Sequence, residues 1–206
     1  MMIKKSLYPK TKRISDGESN IIITEKLDGS NIGFFKLKDE LVIATRNNIF
    51  NLEEADGLAK DFLYKGMSEW LKLNGQHLKE SLNEGSGFFG EWMGMGKIKY
   101  TELDKKVYMF AKANINEKLD IYNLYYDVYL LKYPFVDAVI PEYINIVPVV
   151  ENVKKYPTIN QLDEIYLKYS GNKDDYVEGF VVQYKNQVSK YVRMKNGKLQ
   201  KHKENS

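Results

Sequence analysis

Apolar residues recur at every second position in several short stretches of this chain and at three- to four-residue spacing in two longer ones. The two periods predict strands and helices respectively. Residues 21–25 are a β-branched run and predict a strand. Asp28-Gly29 is a turn signal. Stretches 32–37 and 41–45 predict a hairpin around Lys38, Asp39 and Glu40. Asn51 with Glu54 three residues on predicts a helix start, and Ala55, Leu58, Ala59, Phe62 and Leu63 keep helical spacing after it. Gly66 and Gly75 punctuate this helical region, which runs to about residue 82. Residues 88–93 and 106–113 predict strands, and the aromatic-rich stretch 120–131 predicts helix in its second half. Residues 144–150 predict a strand broken by Pro148. Thr158 and Gln161 form a capping-box pattern for a helix to about 169, with Gly171 at its end. Residues 177–183 and 188–194 predict a last pair of strands. Strands and helices do not alternate regularly, which favours an α+β fold with antiparallel sheets over a doubly wound parallel sheet. No repeat or linker divides the chain, so one domain is expected over residues 1–206, with a basic tail at 196–206.

Composition narrows the chemistry. A chain of 206 residues can bury a substantial core without staples. It contains no cysteine, which excludes disulfides, thiolate metal sites and thiol nucleophiles. His77 and His202 are the only histidines, leaving little room for a multi-histidine zinc site or a Ser-His-Asp triad. The basic N-terminus has no apolar core of a signal peptide, and the most apolar stretch, 134–150, is interrupted by Asp137 and Glu142, so no membrane span is expected. The net charge of +3 does not by itself argue for nucleic acid. Its distribution says more, because residues 185–203 hold lysines and one arginine but no acid. Such a run serves as a solvated face or as a phosphate-binding surface. Only Arg13, Arg46 and Arg193 carry the planar guanidinium fork that lysine cannot reproduce.

Five segments carry candidate chemistry, each with a plainer reading beside it. In the run from Thr24 to Asn31, Lys26 at a strand end is either a nucleophile or an exposed lysine before an Asp-Gly hairpin turn. Around Glu91, Gly90 marks either close approach of a ligand to the strand or an amphipathic strand with its carboxylate on the wet face. Tyr108 and Phe110 fall on one side of a strand, for stacking on a base or for core packing. Glu178-Gly179 opens an apolar strand, placing a carboxylate where a metal or a cap would want it. Arg193 and Lys195, two residues apart on a strand, form a phosphate pincer or belong to the solvated basic run.

The order of these segments is more specific than any one of them. It resembles the covalent nucleotidyltransferases, the ATP-dependent ligases and mRNA capping enzymes, from about residue 25 to 196. Glu25 directly before Lys26, and Asn31 five residues after it, are similar to the RNA ligase 2-like branch. Only 11 residues follow Lys195, too few for the OB domain of DNA ligases and capping enzymes. The resemblance implies the α+β nucleotidyltransferase (ATP-grasp-like) fold, with antiparallel sheets flanking a nucleotide cleft. It implies ATP and Mg²⁺ or Mn²⁺ as cofactors and RNA bearing 5′-phosphate and 3′-hydroxyl ends as substrate. By it, Lys26 becomes a lysyl-AMP, Glu25 contacts adenine, and Gly29 lies against the nucleotide. Arg46 lies across the nucleotide, Glu91 binds ribose or a metal or assists the lysine, and Phe110 stacks on adenine. Glu178 holds a metal, while Arg193 and Lys195 take the phosphates. Asp28 and Asn31 organise the sealing step. Lys198, Lys201 and Lys203 are the candidates for RNA phosphate contacts. The family usually has lysine at the Arg193 position and often aspartate at that of Ala111.

The expected function is therefore ATP-dependent joining of RNA ends in RNA repair. The expected location is cytoplasmic, with a composition suited to a phage acting in its host. An accessory protein could stand in for a missing C-terminal domain. Two alternatives remain at this level: the same first step with DNA ends or a protein as acceptor, and a non-catalytic nucleic-acid-binding relative.

Overall fold

The computed structural model describes residues 12–13, 21–54, 57, 61–115, 126–130, 140–184, 187–195 and 198–199. These fall into two units, one built from residues within 29–96 and 105–146, the other from residues within 12–28, 97–104 and 147–199. The sequence passes from the second to the first between Asp28 and Gly29, two residues beyond Lys26.

The first unit is a seven-stranded sheet with one long helix. Its strands are β3 (Ser30–Leu37), β4 (Glu40–Thr45), β5 (Ile49–Asn51), β6 (Ser86–Trp92), β7 (Val107–Ile115), β8 (Tyr126–Leu130) and β9 (Ile144–Ile146). The order is β5-β4-β3-β6-β7-β8, with β9 pairing β7 in parallel. The β3–β4 hairpin forms as the sequence predicts, and Lys38 and Asp39 take positive φ (53° and 60°) to close it. Two successive left-handed residues give the turn a twist that matches the strands. Both faces of β3 and β4 are buried. On one face, Ile32, Phe34, Leu41 and Ile43 pack with Met67, Trp70, Leu71 and Leu78 of α1 (Met67–Ser81). On the other, Phe35, Val42 and Ala44 pack with Phe89 and Ala111. The strict two-residue alternation separates these clusters.

The second unit is a five-stranded sheet with one helix. It is ordered β1-β12-β11-β2-β10, from β1 (Lys12–Arg13), β2 (Ile21–Glu25), β10 (Val149–Val153), β11 (Gly179–Tyr184) and β12 (Gln187–Val192). A short hairpin, β13 (Met194–Lys195) with β14 (Lys198–Leu199), follows. The helix α2 (Ile159–Ser170) starts with the complete capping box of Thr158 and Gln161, and Gly171 is its C-cap. Leu162 and Tyr166 of α2 cover Ile21, Ile23, Phe180, Val182 and Tyr191. Both units are α+β and their sheets are mainly antiparallel, as expected; the β1–β12 and β7–β9 pairs are parallel.

Three sequence expectations are corrected. The second half of 120–131 contains strand β8, not helix. Tyr126, Val128, Tyr129 and Leu130 suit a pleated surface, and β7 supplies the pairing edge. The predicted helix start at Asn51 is the end of β5. The Asn51 side chain accepts from the Glu54 amide at 2.9 Å and the Glu54 carboxylate from the Asn51 amide at 3.2 Å, so the capping pair forms over a turn. The helix itself starts at Met67 behind Gly66, whose φ of 82° only glycine adopts at no cost. Finally, Asp28-Gly29 is not a hairpin turn, because β2 and β3 belong to different sheets. Residues Ala55, Leu58 and Ala59 lie outside the described residues.

Candidate functional site

In the second unit, β2 ends at Glu25 and delivers Lys26 immediately afterwards. The Lys26 amide donates to the Gly179 carbonyl at 2.9 Å, which fixes the lysine beside the start of β11. Its ammonium meets Glu178 Oε2 at 2.5 Å, pairing groups 152 positions apart in sequence. The side chains retain 25% and 16% of their exposure, so the pair is sheltered yet reachable. Burial raises the proton affinity of Glu178, while the Lys26 charge opposes the shift. Gly179 explains the Glu-Gly sequence: its φ is 156°, and a Cβ there would run into the Tyr191 carbonyl of β12.

Glu25 lies on the α2-facing side of the sheet, in line with Ile21 and Ile23 by alternation. It is 2% exposed, an unusual fate for a carboxylate. Two donors meet its Oε2: the Tyr169 hydroxyl at 2.8 Å and the Lys173 ammonium at 3.0 Å. Lys173 also pairs with Glu102 at 3.2 Å and lies 5.0 Å from the centre of the Tyr169 ring. Burial depresses the Lys173 ammonium's proton affinity, but Glu25 and Tyr169 outweigh it and the net shift is upward.

Asp28 is a clamp. Its Oδ2 accepts from the amides of Lys97 at 2.6 Å and Ile98 at 2.9 Å, and its own amide donates to the Tyr100 hydroxyl at 2.8 Å. Burial raises the Tyr100 pKa well above its ordinary value; the Asp28 amide opposes this, and the charges of Glu25, Asp28 and Glu178 add to it. Asp175 clamps the next stretch by accepting from the Thr101 and Glu102 amides and from the Thr101 hydroxyl. Arg193 follows β12 rather than lying within a strand, so the expected two-residue pincer with Lys195 is not one continuous strand. Its amide donates to the Glu178 carbonyl at 2.9 Å, and its Nε lies 3.5 Å from Asp163 of α2.

In the first unit, Asn31 and Glu91 are direct cross-strand partners. Glu91 Oε1 accepts from the Gly29 amide at 3.1 Å, and a Cβ on Gly29 would stand 2.8 Å from the Glu91 Cγ. Arg46 is exposed just past β4. Tyr64 ties the neighbourhood together: its hydroxyl donates to the Asn31 carbonyl at 2.8 Å and accepts from the Arg46 amide at 3.4 Å. Burial pushes the Tyr64 hydroxyl up to about 12. Phe110 is the extra residue of a β-bulge, because Phe89 pairs with Ala111 and Gly90 with Met109. A bulge re-aims the side chain it inserts. Phe110 is half-buried, whereas Tyr108 is 2% exposed. Gly90 faces the bulge: a Cβ there would meet the Tyr108 carbonyl oxygen at 2.8 Å, so its close approach is to a neighbouring strand.

Sequence reasoning missed Tyr64, Tyr100, Tyr169, Lys173, Asp163 and Asp175. Tyrosines and lysines are so common here that single occurrences carry no signal. Lys201 and Lys203 lie outside the described residues; for Lys195 and Lys198 the backbone alone is described. Among the described residues, no group of three or more histidine or acidic side chains could hold a metal. Magnesium bound mainly through phosphates needs only one or two carboxylates, and Glu178, whose side chain is 16% exposed, presents one at the start of β11. No helix among the described residues is long and apolar enough to cross a membrane.

A family model for RNA ligase matches residues 19–196. The chain belongs to the RNA ligase family. A Naegleria gruberi RNA ligase, as a lysine-to-alanine variant with ATP and Mn, shares its fold with a TM-score of 0.54 and 16% identity, over 92% of this chain and 57% of that one. An apo aspartate-to-alanine variant of the same ligase gives a TM-score of 0.51 and 15% identity, again over 92% and 57%. This family member thus spans less than two thirds of the length of those ligases. Comparison with curated proteins finds no match.

Proposed function

We propose that this chain is an ATP-dependent RNA ligase that joins 5′-phosphate and 3′-hydroxyl RNA ends through a lysyl-AMP on Lys26. The observation that carries the reading is the Lys26–Glu178 contact at the mouth of β11, within an RNA ligase family fold. In the first step Lys26 Nζ attacks the α-phosphorus of ATP. An N–P bond forms, the bond to pyrophosphate breaks, and the amine loses a proton. Its hydrogen-bond partner Glu178 has a proton affinity raised by burial. In the second step a 5′-phosphate oxygen of RNA displaces the lysine, giving adenylated RNA. In the third the 3′-hydroxyl attacks that 5′-phosphorus and AMP leaves. Rate enhancement comes mainly from positioning and charge neutralisation.

Glu178 and the nucleotide phosphates would hold Mg²⁺ or Mn²⁺, which supplies charge neutralisation. Glu25, Gly29, Arg46, Glu91, Phe110, Arg193 and Lys195 keep the nucleotide roles that the family resemblance assigns. Asp28, held by two amides, serves by fixing the segment after the nucleophile. Lys198, Lys201 and Lys203 are proposed phosphate contacts, and an accessory protein is a proposed partner. A cytoplasmic site of action, in RNA repair, is part of the same proposal.

The test is covalent labelling. Incubation with α-labelled ATP and Mg²⁺, then denaturation, should leave label on the wild type and none on Lys26→Ala. Wild-type protein that takes up no label from any nucleotide would overturn the reading. Labelled protein that seals 5′-phosphorylated DNA but not RNA would reassign the acceptor.

A further inference from the structure

Within the second unit, one buried carboxylate is served unequally. Both donors to Glu25 converge on Oε2, whereas Oε1 is buried and has no hydrogen-bond donor among the described residues. A buried acceptor left in this state is costly, more so when charged. Two independent devices maintain it. Lys173 bridges Glu25 and Glu102, and Asp175 pins the Thr101–Glu102 backbone through three hydrogen bonds. The segment after α2 and the stretch around residue 102 are thus locked on one side of the carboxylate. An arrangement serving stability alone would gain by sharing the donors between both oxygens.

We infer that Lys173 and Tyr169 are positioning residues: they hold the Glu25 carboxylate by Oε2 so that Oε1 selects a purine carrying an amino donor at its 6-position. This rests on the nucleotide-dependent function proposed above. Adenine presents an amino group at its 6-position and guanine a carbonyl. A carboxylate oxygen accepts from the first and repels the second. Lys173 pairs with the carboxylate at Oε2 and Tyr169 fixes its rotation. Both act on the Glu25 carboxylate and not on Lys26, so their effect is on discrimination rather than on the chemistry at Lys26.

The experiment compares lysine labelling with ATP, with purine riboside triphosphate, which lacks the 6-amino group, and with GTP. The wild type should prefer ATP over purine riboside triphosphate by about tenfold in KM, the size of one hydrogen bond to a charged group. Lys173→Met and Tyr169→Phe should shrink that ratio towards one, with the rate at saturating nucleotide changing little. Lys173→Arg should restore most of it. A general loss of folding would lower the labelled fraction with all three nucleotides alike and leave the KM ratio unchanged, and thermal melts of each variant identify that case. Variants that label normally and keep the wild-type ratio would overturn the inference and leave the ligase reading intact. A wild type that never forms a lysyl-nucleotide would overturn both.

Discussion

Both units pack aromatic rings against a β-sheet, but among the described residues the buried carboxylates lie in the second. In the unit containing β3, the core is aromatic on aromatic. Phe34 lies 5.8 Å from Trp70 and 5.4 Å from Phe88, and Trp70 lies 6.0 Å from Trp92. In the unit containing β2, the same kind of alternating strand runs Ile21, Ile23 and then Glu25, so the row that begins as core ends in a carboxylate. Apolar packing is non-directional and tolerates small shifts. A buried carboxylate does not, because its pairing is directional and an oxygen left without a donor is costly. The contrast identifies the unit whose local structure is specified by chemistry rather than by volume. Lys26, Glu178 and Glu25 all lie in it.

The comparison breaks most visibly at Phe34. Phe34→Ala removes a fully buried ring from the aromatic cluster and should cost about 3–5 kcal/mol of stability. Urea unfolding measures it. A cost under 1 kcal/mol would mean that aromatic packing is not what holds the first unit. In the second unit the sharper probe is Gly179→Ala. The added methyl would collide with the Tyr191 carbonyl, and relief requires β11 and β12 to part. A loss of about 1–3 kcal/mol is expected. Lys26 labelling should fall with it, because the Gly179 carbonyl holds the Lys26 amide. Labelling unchanged alongside a lowered melting temperature would separate the backbone contact from function.

The sequence made the strands around the site legible through local pattern. The β-branched run before Lys26, the Lys38-Asp39 hairpin and the Thr158 capping box each need only neighbouring residues to be recognised. What it hid depended on distance. Glu25 reads as a polar residue at a strand end until Tyr169 and Lys173, more than 140 positions away, are seen to bury it. Phe110 reads as an alternating strand residue until the opposing strand runs one residue short and makes it a bulge. Tyr126–Leu130 failed for a related reason. Its aromatic residues fit either period, and only the free edge of β7 decides for a strand.

Tyr64→Phe probes the polar edge of the otherwise apolar unit. The hydroxyl bridges the Asn31 carbonyl and the Arg46 amide, so its removal strands an acceptor and should cost about 1–2 kcal/mol. If the bridge positions Arg46, KM for ATP should rise with it, which labelling across an ATP titration would read. A stable variant with unchanged KM would confine Tyr64 to packing.

The smallest expected effect has the most specific signature. Burial pushes the Asp175 carboxyl up, but the Glu102 and Thr101 amides, the Thr101 hydroxyl and the charge of Lys173 together hold it below the ordinary carboxylate value. A carboxylate whose proton affinity is lower folded than unfolded stabilises the fold at pH above its unfolded value, and that contribution is lost as pH falls through the folded value. Asp175→Asn keeps one acceptor oxygen and removes the charge, so it should destabilise by about 1 kcal/mol at neutral pH. The difference from wild type should shrink below about pH 4 as the native carboxylate takes up its proton. Melting curves at pH 7, 5 and 3.5 read this directly. A difference that is the same at all three would mean that Asp175 acts through shape, and the second unit would then resemble the first more closely than its buried charges suggest.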